Sequence, residues 1–381
     1  MSRRPAVRAL AAGLAASCAA IATLGCASSG GLERPEVNRR LRSHGVDPAA
    51  IIVPFDVTPE MKAWAERVAP RELQMEQRLD RLFQAVIGDL KPVYEGGRTT
   101  TASQVFAERR ANCLGFTSLL VGLARAIDIP TYYLAIDDIE RFQRAGDLVV
   151  ISSHVSAAFD TGARTKVLDF TAAPVASYHD ARALDDVSAI GLFYSNLGAE
   201  KLRAGDVPGA ATLLKTAVLI APELSGGRVN LGVALRRTGD EKGAEAEYRA
   251  ALEVDPQSSS AYQNLASLLR QRGEETEAEE LLRIDEKQGT RNPYSYLSLG
   301  DLALKHRRFD EARRLYRRAL RLYGKDAEPY AAMGLWALAQ GDEREARKWL
   351  RRARDIDQDN VRVRLLDRRL AEKKLPGDIQ G

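Results

Sequence analysis

The second half of the chain repeats itself every 34 residues, and this period limits the architecture more tightly than any other feature. Units starting at Gly191, Ser225, Ser259, Pro293 and Ala327 follow one another without a slip in register. The eighth position reads Gly198, Gly232, Ala266, Gly300 and Gly334, and the twentieth is alanine throughout, from Ala210 to Ala346. The fourth position is mostly tyrosine (Tyr194, Arg228, Tyr262, Tyr296, Tyr330), and the seventh is Leu197, Leu231, Leu265, Leu299 and Met333. Small residues at two fixed places let a pair of antiparallel helices approach, while large ones fill the gaps between successive pairs. A single unit of this kind cannot bury its own apolar face, so the units must stack.

Pro222 and Pro256 close the first two units at position thirty-two, where Thr290, Gly324 and Gln358 stand later. Asp285 occupies the otherwise small twenty-seventh position of unit three, so irregular ends are expected in units three to five. The pattern resembles the tetratricopeptide repeat, which implies an all-α solenoid over 191–360 whose concave face receives a protein partner. "VRVRLLDRRLAEKKL", 361 to 375, reads as a polar capping helix, with a short tail to 381.

A chain of 381 residues exceeds one ordinary core, and the first half differs in character. Residues 27–58 read as a tether and irregular lead-in. Helical periodicity starts at "TPEMKAWAERV", where Thr58-Pro59 is a good helix start. "RELQMEQRLDRLFQAVI" and "ASQVFAERR" read as further helices, and Leu114 to Ile127 as a buried one that Asp128-Ile129-Pro130 stops. "TYYLAI", "DLVVISS", "HVSAAFD" and "KVLDFT" then read as antiparallel strands. Helices followed by strands give an α+β domain over 59–190.

The formal charge is +4, but Arg3, Arg4 and Arg8 supply three of these in a stretch without acids. The remainder is close to neutral, which argues against a nucleic-acid partner. Those arginines precede an uncharged run from Ala9 to Cys26, the pattern of an export signal. Its end, "TLGC", resembles a bacterial lipobox, which implies lipid on Cys26 and a periplasmic, membrane-anchored protein. Ala27 after the cysteine implies outer-membrane sorting by the same resemblance.

Of three cysteines, Cys18 would leave with the leader and Cys26 would carry lipid, so Cys113 has no disulfide partner. A solitary thiol in an oxidising compartment is either a buried small hydrophobe or a used nucleophile. Asn112 can cap the helix that follows, placing Cys113 where helix dipole and free N–H groups favour a thiolate. One of only four histidines, His154, begins a predicted strand, and Asp169 lies within the next one. An imidazole beside the thiol would take its proton, and a carboxylate behind would fix the tautomer. Asp160 is the nearest rival for that carboxylate. No cysteine pair or close histidine pair supports a metal, and no cofactor motif is present.

"ANCLGFTSLLVGLARAIDIPTYYLAI", "SSHVSAAFD" and "KVLDFT" together resemble the core of the transglutaminase-like superfamily. The resemblance implies a papain-related fold with Cys113 as nucleophile, His154 as base and Asp169 as orienting acid. Valine follows His154, where many relatives carry an aromatic residue. Gln104 and Asn112 are the candidates for a side-chain oxyanion donor, beside the backbone N–H of Cys113. The expected function is acyl transfer from a protein or peptide amide through a thioester, to water or to an amine. The rival expectation is a non-catalytic lipoprotein scaffold, in which a degenerate peptide-binding domain accompanies the repeats.

Overall fold

The computed structural model describes residues 31–145, 148–162, 164–170 and 181–372. The leader with Cys26, and with it the expected lipid anchor, lies outside these residues. Among the described residues no helix is long and apolar enough to cross a membrane, and no three His, Cys, Asp or Glu side chains cluster as a metal site.

The first half contains α1 (Arg34–Ser43), α2 (Pro59–Val68), α3 (Met75–Ala85), α4 (Ala102–Glu108) and α5 (Cys113–Ala126). A two-residue parallel pair, β1 (Val93–Tyr94) with β2 (Arg110–Ala111), precedes α5. The main sheet follows: β3 (Thr131–Ala145), β4 (Leu148–Asp160), β5 (Thr165–Leu168) and β6 (Ala181–Leu184). It is antiparallel, in the order β5-β4-β3-β6. Helix α5 is its backing and is buried from Leu114 to Ala124. Gly122 faces the backbone of Phe55 so closely that a Cβ would collide with its carbonyl oxygen.

Two expected strands, "DLVVISS" and "HVSAAFD", form one, because no turn residue separates Ser153 from His154. The β3–β4 ladder is nonetheless broken. Ile136 pairs with His154 and Arg141 with Ser152, so extra β3 residues bulge out opposite the break. Beyond it, β3 and β4 continue as an arm that leaves the domain.

The lead-in segment is not the irregular tether expected of it. Pro35 at the first turn starts α1, whose Val37 and Leu41 are buried. His44 Nδ1 lies 2.7 Å from the carbonyl oxygen of Ile220, and the Ile52 N–H donates to Tyr194. The segment is a strap over the junction of the two halves.

Ten helices make five antiparallel pairs: α6 (Asp186–Arg203) with α7 (Val207–Ile220), α8 (Ser225–Arg237) with α9 (Glu241–Val254), and α10 (Ser259–Gln271) with α11 (Glu275–Lys287). Then come α12 (Pro293–Lys305) with α13 (Phe309–Leu322) and α14 (Ala327–Ala339) with α15 (Glu343–Ile356), before α16 (Val361–Glu372) packs on α14 and α15. The repeat signature has a direct steric cause. A Cβ on Gly232 would lie 2.5 Å from the ring of Tyr248, and one on Gly300 would run into that of Tyr316. The boundary drawn at 190 falls inside α6, which Asp185 caps by accepting from the Ser188 N–H. That helix and α7 share the apolar core of the first half through Ile190, Phe193 and Ile220.

The solenoid face expected to receive a partner already has an occupant in units one to three. Strand β4 packs on α6, α8 and α10, the first helices of those units. Asn264 of α10 accepts from the Val149 N–H and donates to the Val149 carbonyl, both at 2.8 Å. A side-chain amide bonded this way reads backbone in extended form, whatever the side chain. Val149 is fully buried in the solenoid core.

Candidate active site

Asn112 holds the extended backbone of an N-cap, and its Oδ1 accepts from the Gly115 N–H at 3.0 Å. Cys113 is therefore the first helical residue of α5, partly exposed and free of any disulfide. One turn on, Thr117 Oγ1 donates to the carbonyl of Val155 at 3.0 Å, and Tyr133 donates to Ser118. These bonds fix α5 in register against β3 and β4 and so bring the start of the helix beside His154.

His154 sits within β4 rather than at its start, and Asp169 immediately follows β5 instead of lying in it. Leu168 pairs with Ala157, which makes Asp169 a diagonal neighbour of His154 on one face of the sheet. Nε2 of His154 donates to Asp169 Oδ2 at 2.8 Å, with the side chains only 5% and 3% exposed. The side chain of Cys113 is also hydrogen-bonded to His154, and Nδ1 is the ring nitrogen left for it. Burial of the imidazole opposes its charge, but hydrogen bonds and charge from Asp169 and Cys113 outweigh it, and the pKa is pushed up to about 9. Phe170 stacks at 5.1 Å from Phe116 and 5.3 Å from Phe83, an apolar wall beside Asp169. Asp160, the rival acid, is exposed at the far end of β4, where it accepts from Tyr132 and Thr165.

A transglutaminase-like superfamily model matches residues 62–142, and tetratricopeptide models match 201–269, 259–283 and 297–361. The chain carries a transglutaminase-like domain followed by tetratricopeptide repeats. The first match contains Cys113 and stops before His154 and Asp169. A search of curated proteins gave no match. Among solved structures, PilF of Pseudomonas aeruginosa is 23% identical, covering 48% of this chain and 82% of that one, with a TM-score of 0.42. A thermophilic tetratricopeptide protein of Thermus thermophilus is 19% identical over 49% of this chain and 100% of its own, with a TM-score of 0.42. YrrB, described as a tetratricopeptide protein with an unusual peptide-binding site, is 16% identical over 49% of this chain and 92% of that one, with a TM-score of 0.35. These likenesses are to the solenoid.

Within the transglutaminase-like domain the two oxyanion candidates have other work. Gln104 is exposed, and its Oε1 accepts from the Thr101 N–H at 2.9 Å, closing a capping box at the start of α4. Asn112 is buried, with Oδ1 in the cap and Nδ2 donating to Thr99 Oγ1 at 2.7 Å. Thr99 in turn gives its N–H and its hydroxyl to Glu200 of α6, at 2.6 and 2.5 Å. Neither Thr99 nor Glu200 stood out in the sequence. Thr99 lies in a run of three threonines, and Glu200 is one polar residue on a helix assigned to the solenoid.

Proposed function

We propose that the protein is a cysteine-dependent acyl-transfer enzyme of the cell envelope, acting through Cys113, His154 and Asp169. The observation that carries this reading is the hydrogen-bonded line from Cys113 through His154 to Asp169. The His154 imidazole bonded to the sulfur takes its proton, and the Asp169 carboxylate behind it holds the resulting imidazolium. The thiolate attacks an amide carbonyl, the imidazolium gives its proton to the departing amine, and a thioester remains. Water then releases an acid, as in a peptidase or amidase, or an amine receives the acyl group, as in a crosslinking transferase. The backbone N–H of Cys113, among the first of α5, would supply one oxyanion donor. The repeats bind the protein substrate or a partner, and lipid on Cys26 holds the chain on the periplasmic side of the membrane.

The test is the alkylation rate of Cys113 by iodoacetamide at pH 7 in the full chain, read by peptide mass spectrometry. Wild type should react about tenfold faster than His154→Ala. Equal rates would remove the basis for catalysis. That result would favour the scaffold reading, in which the tetratricopeptide array carries the function beside a degenerate peptide-binding domain.

A further inference from the structure

We infer that Glu200, on the first helix of the solenoid, is a positioning residue for Cys113, acting through Thr99 and Asn112. The inference rests on the proposal that Cys113 is the nucleophile.

Three contacts clamp the loop at 98–100 onto the start of α5. The Asn112 N–H donates to the carbonyl of Arg98 at 3.0 Å. Asn112 Nδ2 donates to Thr99 Oγ1 at 2.7 Å. Gly115 leaves no room for a side chain, since a Cβ there would lie 2.9 Å from Thr100 Oγ1. The loop and the residue before Cys113 therefore move as one body.

Glu200 holds that body from outside. One carboxylate oxygen, Oε1, accepts from both the backbone and the hydroxyl of Thr99. The polarity is consistent along the line: Asn112 donates to the Thr99 hydroxyl, which donates to Glu200. A hydroxyl that gives its one proton to a carboxylate can only accept from its other neighbours, and Asn112 Nδ2 donates to it. Burial raises the Glu200 carboxyl pKa, and the two Thr99 bonds and the charges of Arg203 and Arg98 work against that rise. The arrangement makes the first repeat a part of the nucleophile's support. Without Glu200 the Thr99 hydroxyl can turn away, Asn112 loses the partner that orients its amide, and the cap over Cys113 loosens. Catalytic alignment is sensitive to displacements of this size, since about 1 Å of misplacement costs up to two orders of magnitude.

The experiment uses the full chain and follows iodoacetamide modification of Cys113 by peptide mass spectrometry from pH 6 to 9. Wild type, His154→Ala, Glu200→Ala, Glu200→Gln and Thr99→Val are compared. Glu200→Ala and Thr99→Val should react about tenfold more slowly than wild type at pH 7, with pH profiles displaced towards that of His154→Ala. Glu200→Gln keeps an acceptor oxygen and should react within about twofold of wild type. Wild-type rates in Glu200→Ala and Thr99→Val, with His154→Ala still slow, would overturn the inference and leave the nucleophile standing. Equal loss in the alanine and glutamine variants would also overturn it, because a packing defect and not the hydrogen bond would then be responsible. No difference between wild type and His154→Ala would instead strike at the nucleophile itself.

Discussion

An imidazole held between a sulfur and a carboxylate has a titration that reports both neighbours. An ordinary histidine titrates near 6.5 and His154 at about 9, so it stays charged across the neutral range. The folded-state pKa lies above the unfolded one. The pair therefore adds stability that is complete below about 6.5 and is lost as pH rises through about 9. Replacing Asp169 with asparagine removes a hydrogen bond and a charge that both favour the imidazolium. The His154 ring, followed by NMR and assigned by its loss in His154→Ala, should then titrate at lower pH, and an unmoved midpoint would deny Asp169 its role. At this scale the sequence was informative where residues are rare. One cysteine outside the leader and a histidine among four leave few candidates for a thiol–imidazole pair. Chain order and the family resemblance pointed to Asp169 ahead of Asp160, but the contact itself depends on the β4–β5 register, which sets the residue after β5 diagonal to His154. Asn112 was readable as a cap, but its commitment to Thr99 was not, and that bond gives its amide a structural task.

Among the elements, the solenoid helices follow their pattern closely, and the two departures in unit three turn out to be one feature. Asp285 and Thr290 meet across Ser259, whose hydroxyl lies 2.7 Å from Asp285 Oδ2 and 2.6 Å from Thr290 Oγ1. Helix α11 ends at Lys287, and Gly289 has a φ of +79°, a left-handed exit that glycine adopts without strain. Burial raises the Asp285 pKa to about 6 although the hydroxyls of Ser295, Ser259 and Thr290 oppose it. Since the folded value exceeds the unfolded one near 3.8, its contribution to stability is present below about 4 and is lost as pH rises through about 6. Asp285→Asn should match wild type near pH 4 and exceed it by roughly 2–3 kcal/mol at pH 8, measured by urea unfolding. A gap that does not widen with pH would refute the assignment. The residue types marked unit three as unusual, but only packing between successive units showed that a hydroxyl cluster had replaced the consensus pair.

For the whole molecule, the two halves are one folding problem. Arg125 of α5 pairs with the buried Asp186 at the start of α6 at 2.9 Å, and Asp186 also accepts from the Leu32 N–H. Leu192, Phe193 and Ile220 belong to the same apolar cluster as Leu119 and Tyr133. Removing three such side chains at about 1.5–3 kcal/mol each costs about as much as the net stability of a typical domain. A chain ending at residue 190 should therefore fail to fold, whereas one ending after the first repeat at 224 should keep the first core. Circular dichroism melts would show this, and a cooperative melt of the shorter chain would refute it. The arm of β3 and β4 makes the reverse connection, from the first domain to the third repeat. Asn264→Leu removes both bonds to Val149 and should speed hydrogen exchange at Val149 and its neighbours in β4, while the buried middle of α5 from Leu119 to Leu123 stays protected. Unchanged exchange would mean that the clamp contributes nothing to holding the arm.

The sequence alone determined the local periods. A 34-residue repeat with small residues at two positions admits little besides stacked helix pairs, and a helix–strand succession around a capped cysteine admits few folds. These are contacts between residues near in sequence, or between copies of one unit, and periodicity records them. The tertiary structure decided which long-range neighbours met: Asp169 with His154 over 15 residues, Glu200 with Thr99 over 101, and Asn264 with Val149 over 115. Chain order already paired His154 with Asp169, but Glu200, Thr99 and Asn264 are of common types, and nothing in the local sequence marks their partners until the docking of α6 and of the β4 arm brings them together.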